Sequence, residues 1–229
     1  ASDVYKRQVS KQENSGLAVT LNKGIKIARG KYISRQDQDD LVLKGRFAKQ
    51  VKFLERNPEV AIVGTWAAIS EGDFLTKRFH IHATEHESLQ LELLFDNPFV
   101  HSSVMIRSDI LRLIGGYCED DSRQPPEDYE LWSRIARQYR VANLPEVLTV
   151  YREMPNSMSR TGDNPFLKNV INISAENIYY LLSQSYSYDD CKELSKLYHI
   201  GGQVGFNSDI TKAIAFKMLS LIHISEPTR

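Results

Sequence analysis

Three carboxylates fall within four positions, Asp37, Asp39 and Asp40, directly after the short run Tyr32-Ile33-Ser34. Acids packed that closely repel one another and resist ionising together unless a counter-charge or a cation compensates them. The run before them has the β-branched and aromatic composition of a buried strand, so the acids stand at a strand end. A strand-end Asp-x-Asp suits a divalent cation, because hard cations take oxygen ligands.

Periodicity around this point is that of an α/β domain. Leu17, Leu21, Ile25 and Ala28 recur at helical spacing, with Gly30 as the C-cap. After the acids, Phe47, Val51 and Leu54 mark one face of a helix that Asn57-Pro58 ends. Val60 to Val63 is the next strand, and Phe74 to His80 is extended. Thr84 and Glu87 form a capping box for a helix carrying Leu89, Leu93 and Leu94. Ser102 to Ile106 is a strand leading into a short helix closed by Gly115-Gly116. Pro126, Glu127 and Asp128 open a helix with Leu131, Trp132 and Ile135 inward. Val147 to Tyr151 is a strand, and from Phe166 the pattern is helical, with Ile171, Ile178 and Leu182 on one face.

The two ends have a different character. Residues 1–8, ASDVYKRQ, and 219–229, LSLIHISEPTR, coincide with in-frame translations of a tagmentation adapter and its reverse complement. They are expected to be non-native and are set aside from fold reasoning. Residues 9–160 are then expected to form a partial α/β domain, and 161–218 a C-terminal helical region.

The whole chain carries 29 basic and 29 acidic residues, and 26 and 27 without those ends. That balance gives no support for nucleic-acid binding. With 41% hydrophobic residues, the chain has enough apolar side chains for a proper core. No apolar stretch approaches membrane-spanning length. Cys118 and Cys191 are too few for a disulfide framework or a zinc site, which fits a reducing compartment.

Three constellations carry chemistry. The cluster 37–40 fails as an EF-hand loop, since Val42 holds the turn-glycine position and Ala48 the bidentate-acid position. It is a weak phosphatase motif, because Leu41 follows it. Metal binding by Asp39 and capping of the next helix by Asp40 are compatible readings. Glu127-Asp128 begins a helix, whose positive end is expected to stabilise the ionised acid and lower its pKa; taken alone, the pair reads equally as helix capping or catalysis. Tyr151 and Arg152 lead into a polar loop with Asn156, Ser157 and Ser159, and Arg152 is either a diphosphate donor or a solvent-exposed arginine. His101-Ser102-Ser103 is either a sugar-facing turn or a strand boundary.

Taken in order, the segments NSGLAVTLNKGIKIARGKYISRQDQDD (14–40), RFAKQVKFLERNPEVAIVGTW (46–66), NPFVHSSVMIRSDILRLIGGY (97–117), PPEDYELWSRIA (125–136) and VYREMPNSMS (150–159) resemble the family 2 glycosyltransferases with the GT-A fold. The resemblance implies a Rossmann-like mixed α/β sheet flanked by helices, with a C-terminal helical segment. It implies an inverting transfer from a nucleotide-diphosphate sugar to a glycan or lipid-linked acceptor, in cell-surface polysaccharide synthesis. Asp39 is then the metal ligand for Mg or Mn, and Asp37 a ribose contact or second acid of the motif. Asp128 is the general base and Glu127 supports the acceptor. Arg35 and Asn22 fall at nucleotide-side positions, and Trp132 reads as core. The implied location is cytoplasmic, at the inner face of the membrane in the full-length protein.

Two positions depart from the family pattern. Met154 stands where a histidine commonly follows the tyrosine-arginine motif, and Lys44 where a proline is common. The family's first strands, which supply the base-binding acid, have no counterpart before Val9. The chain as written is therefore expected to hold half a donor site, to be inactive alone and poorly stable. Two other classes share the acids: a non-catalytic GT-A-like binding homologue and a metal-dependent nucleotidyltransferase or phosphatase.

Overall fold

The computed structural model describes residues 9–153, 165–182 and 185–200, together with position 213. Its elements run α1 (Leu17–Ile27), β1 (Tyr32–Ser34), β2 (Leu41–Val42), α2 (Arg46–Arg56), β3 (Val60–Glu71), β4 (Phe74–His80), α3 (His86–Glu92), β5 (Met105–Arg107), α4 (Ser108–Leu113), α5 (Glu127–Ala136), β6 (Arg140–Glu153), α6 (Phe166–Leu181) and α7 (Tyr188–Ile200). The described strands form one mixed sheet in the order β1-β5-β3-β6-β2, with β4 paired to β3. β3 and β6 run parallel from Val60 opposite Arg140 to Glu71 opposite Glu153, and the other pairings are antiparallel.

β3 occupies the centre because its Val, Ile and Ala side chains are buried on both faces, the signature of a strand covered on both sides. One face packs Ile62, Ile106 and Val104 against Ile25 of α1 and against Trp132 and Ile135 of α5. The other packs Val63, Met105 and Leu148 against Leu54 of α2. Each such side chain contributes about 1.5–3 kcal/mol on burial. A third cluster, Leu94 with Ile178, Leu182, Cys191 and Leu194, joins α6 and α7 to the turn after α3. No helix among the described residues is long and apolar enough to cross a membrane.

Both long strands reach well beyond the apolar runs that mark them in the sequence, because β3 and β6 pair with each other along their whole length. The strand expected from Ser102 starts at Met105, since His101–Ser103 curls into a 3-10 turn. Trp132 is fully buried, the core position expected of it.

Three local expectations are corrected. α2 does not bury Phe47 and Val51, which are 41% and 36% exposed. It buries Arg46, Gln50 and Leu54, because the two polar side chains have internal hydrogen-bond partners. Asp40 is no helix cap. Gly45, at φ 88°, fills that place, a left-handed conformation that favours glycine, while Asp40 Oδ1 accepts the Arg152 backbone N–H at 2.7 Å. The Thr84-Glu87 box is likewise absent, since α3 begins at His86 with Glu85 before it and no side-chain cap.

Candidate active site

β1 ends where its backbone meets the buried guanidinium of Arg46. Arg46 Nη1 donates to Gln36 Oε1 at 2.8 Å, and Nη2 to Arg35 O at 2.9 Å and Ser34 Oγ at 3.1 Å. Its Nε donates to Gln50 Oε1 at 3.2 Å, and Gln50 Nε2 in turn donates to Val63 O and Ser103 O at 2.9 and 2.7 Å. Gln36 Nε2 closes the loop on Asp37 O and Asp40 O at 3.1 and 3.0 Å. The acid-bearing loop is thus held by neutral acceptors around one enclosed cation. Burial pulls the Arg46 pKa down to about 10 against the pull of Asp40, so it stays charged at neutral pH.

This loop borders a cleft of about 760 Å3, lined also by the turn at 95–101, the start of α5, the end of β6 and the first turns of α6. The size is ordinary for a small-molecule site. Arg35, Asp37, Glu127 and Asp128 all line it. Asp37 is ion-paired to Arg35 and accepts the Ser102 hydroxyl at 2.7 Å. Burial raises its pKa, but Arg35 and Ser102 outweigh that and hold it below the usual carboxylate range.

α5 delivers the second pair of acids. Asp128 Oδ1 accepts the Tyr129 backbone N–H, and Oδ2 accepts Asn97 Nδ2, each at 2.8 Å. The helix start was expected to lower the Asp128 pKa. The structure reverses that: burial, helped by neighbouring Glu127, pushes it up to about 7 despite both donors. Desolvation of an enclosed carboxylate exceeds the few tenths to one kcal/mol typical of a helix terminus. Burial also raises Glu127. His101 lies against the same cleft, pushed down to about 3 by burial and then by Arg35; it is neutral, with Nε2 and the Tyr117 hydroxyl 2.8 Å apart. A carboxyl whose pKa lies near neutrality, in the same cleft as an arginine-held acid, is able to take up or release a proton there.

Two of the expected nucleotide contacts stand elsewhere. Asn22 is buried under α4, its Nδ2 donating to Tyr117 O and Glu119 Oε1, each at 2.8 Å, and its Oδ1 accepting the Tyr117 N–H at 2.8 Å. Its amide is spent on holding the chain after Gly116. Arg152 is not among the cleft-lining residues, whereas its neighbours Tyr151 and Glu153 are, as the two-residue alternation of a strand requires; its Nη2 lies 3.3 Å from Asp73 Oδ1. Met154, Asn156, Ser157 and Ser159 lie outside the described residues.

Asp39 is exposed, two residues beyond Asp37. Among the described residues no three His, Cys, Asp or Glu side chains converge into a metal cage. Asp39 is not among the residues that line the cleft; its exposed carboxylate is an oxygen donor of the kind a hard cation takes, and a magnesium ion on one or two protein acids commonly completes its shell with water.

Arg46, Gln50 and Asn97 were not singled out from the sequence. The signal for the first two was a polar pair four apart, in line with Leu54 on one helix face.

A mixed, helix-flanked sheet of this topology, with a strand-end acid loop facing an acidic helix start, has the fold of the GT-A glycosyltransferases. The family model described as "Glycosyl transferase family 2" matches residues 6–114. Over 150 residues the chain is 31% identical to an uncharacterized glycosyltransferase of Methanocaldococcus jannaschii, covering 65% of this chain and 50% of that protein. Over 164 residues it is 31% identical to the amylovoran biosynthesis glycosyltransferase AmsE of Erwinia amylovora, covering 71% and 60%. The S. aureus TarS structure with UDP-GlcNAc superposes with a TM-score of 0.60 at 15% identity, covering 96% of this chain and 65% of that one. The chain spans about half to two thirds of the length of these relatives.

Proposed function

We propose that this chain is the acid-bearing part of an inverting family 2 glycosyltransferase of the hexosyl-transferring kind. It moves a sugar from a nucleoside-diphosphate donor to a hydroxyl of a saccharide or lipid-linked acceptor in cell-surface polysaccharide synthesis. The observation that carries the reading is one cleft shared by Arg35-Asp37 and by Asp128, whose carboxyl sits near neutrality. The family match and the biosynthetic name of the Erwinia relative support it.

In this reading Arg35 and Asp37 meet the nucleotide side of the donor, and Asp39 holds the cation. Asp128, ionised, takes the acceptor hydroxyl proton as that oxygen bonds to the anomeric carbon and the bond from that carbon to the diphosphate oxygen breaks. Glu127 orients the acceptor beside it. A divalent cation, Mg or Mn, supplies charge neutralisation for the leaving diphosphate when bound. A single displacement from the opposite face inverts the anomeric centre. The protein then works in the cytoplasm, at the inner face of the membrane when the acceptor is lipid-linked.

The reaction class is tested by the product. A nucleoside diphosphate released with transfer supports the reading, whereas pyrophosphate or inorganic phosphate would assign the acids to a nucleotidyltransferase or phosphatase. For the metal, Asp39→Asn in the full-length protein is expected to weaken cation-dependent nucleotide binding by more than about tenfold. Calorimetry with and without chelator reads this directly, and an unchanged cation dependence would remove Asp39 from the site.

A further inference from the structure

We infer that Asn97 is a positioning residue for the base, fixing the Asp128 carboxylate through its 2.8 Å hydrogen bond to Oδ2; this rests on the reading of Asp128 above. With Tyr129 N–H on Oδ1 at 2.8 Å, each carboxylate oxygen has one fixed donor and retains lone-pair capacity for a proton. A carboxylate held from both sides keeps one orientation, and proton abstraction depends steeply on that orientation.

Asn97 is itself rigidly placed. Its backbone N–H bonds Asp96 Oδ1 at 2.7 Å, and its Oδ1 accepts the Phe99 N–H at 3.2 Å. The next carbonyl, Pro98 O, accepts Asn143 Nδ2 at 3.0 Å, and the same amide group bonds Ala83 O at 3.0 Å. Asn143 lies flat on β3 because position 64 is glycine: a Cβ there would stand 2.2 Å from Asn143 Oδ1. Three residues after Phe99, the same stretch has also placed Ser102 on Asp37, at 2.7 Å. One braced segment, 97–103, therefore holds the acid on each side of the cleft and sets their separation.

The charged surroundings leave Asn97 a defined electrostatic part. Asp128 faces Glu127 on its own helix and Tyr117 from the loop after α4, and Arg35, Asp37 and His101 line the same cleft. Burial and Glu127 favour the protonated acid, and the neutral amide donor favours the ionised one.

The test is the pH profile of transfer by the full-length protein. Asn97→Ala is expected to move the acid limb of kcat up by about one pH unit, the scale of one hydrogen bond to a charged group. It should lower kcat at pH 7 about fivefold, because the ionised fraction of a base with pKa near 7 falls by that factor when the pKa rises one unit, while leaving the donor KM near its original value. Asn97→Asp keeps the shape and the acceptor for Phe99 N–H but sets a second carboxylate against Asp128, so its limb should move further in the same direction. In an Asp128→Asn background, Asn97→Ala should cost no further rate. A limb that stays in place in Asn97→Asp, with Asp128→Asn inactive, overturns the positioning role alone. Wild-type transfer by Asp128→Asn overturns the base and this inference together.

Discussion

Asp128→Asn is expected to reduce sugar transfer by about 10^2- to 10^4-fold, the range general-base removal usually costs, while donor binding persists. Asparagine keeps the shape and can still accept the Tyr129 N–H, but it cannot take a proton. In the unsubstituted protein, transfer should fall as pH drops through about 7, where the Asp128 carboxyl protonates. The same group makes a stability prediction of opposite sense. Its native pKa lies above the model-peptide value of 3.8, so the native state holds the proton more tightly than the unfolded chain. That contribution is fully present below pH about 4 and is lost as pH rises through about 7. Asp128→Asn has no such loss and should melt at a higher temperature than the parent at pH 8, with the gap closing towards pH 4. The ceiling on the gap is about 4 kcal/mol, at about 1.4 kcal/mol per pKa unit. Thermal melts across pH on both proteins measure it. A gap independent of pH would show that the carboxyl is not strained, and with it the case for a poised base would fall.

Much of the scaffold was legible because it rests on local pattern. The apolar run at 60–63 and the Val147–Tyr151 run mark strands that the structure contains, and the Pro126-Glu127-Asp128 sequence marks the start of α5. What was illegible depends on partners far away in the chain. Asp40 looks like a cap until β6, 112 positions on, presents the Arg152 N–H. The Asp128 pKa follows from enclosure by the 95–101 turn and the loop at Tyr117, which outweighs the helix terminus seen locally. Asn143 reads as an ordinary polar residue until it is seen against Gly64. Alternation along β6 sends Tyr151 and Glu153, and not Arg152, to the cleft, a choice that only the pairing register makes.

The rotation of α2 gives the second large expected effect. Hydrophobic periodicity selects Phe47 and Val51 as the buried face, whereas the structure buries Arg46 and Gln50. The two alternatives separate cleanly by substitution. Arg46→Ala removes donors from Gln36, Ser34, Arg35 and Gln50 at once, leaving enclosed acceptors unpaired. Losses of that kind cost about 3–5 kcal/mol, or on the order of 10 °C in a chain of this size. Arg46→Lys should recover little, because the acceptors are neutral and matched to a planar fork, so charge without geometry does not satisfy them. Val51→Ala, on the exposed face, should stay within about 0.5 kcal/mol. Arg46 is absent from the residues lining the cleft, yet its loss should also weaken nucleotide-diphosphate binding, since the loop bearing Arg35, Asp37 and Asp39 is braced on its guanidinium. Melts of the three variants, with nucleotide titration of Arg46→Lys under conditions where it remains folded, read both effects. Full rescue by lysine would mean that the attraction between Arg46 and Asp40, and not the hydrogen-bonded fork, holds the acidic loop in place.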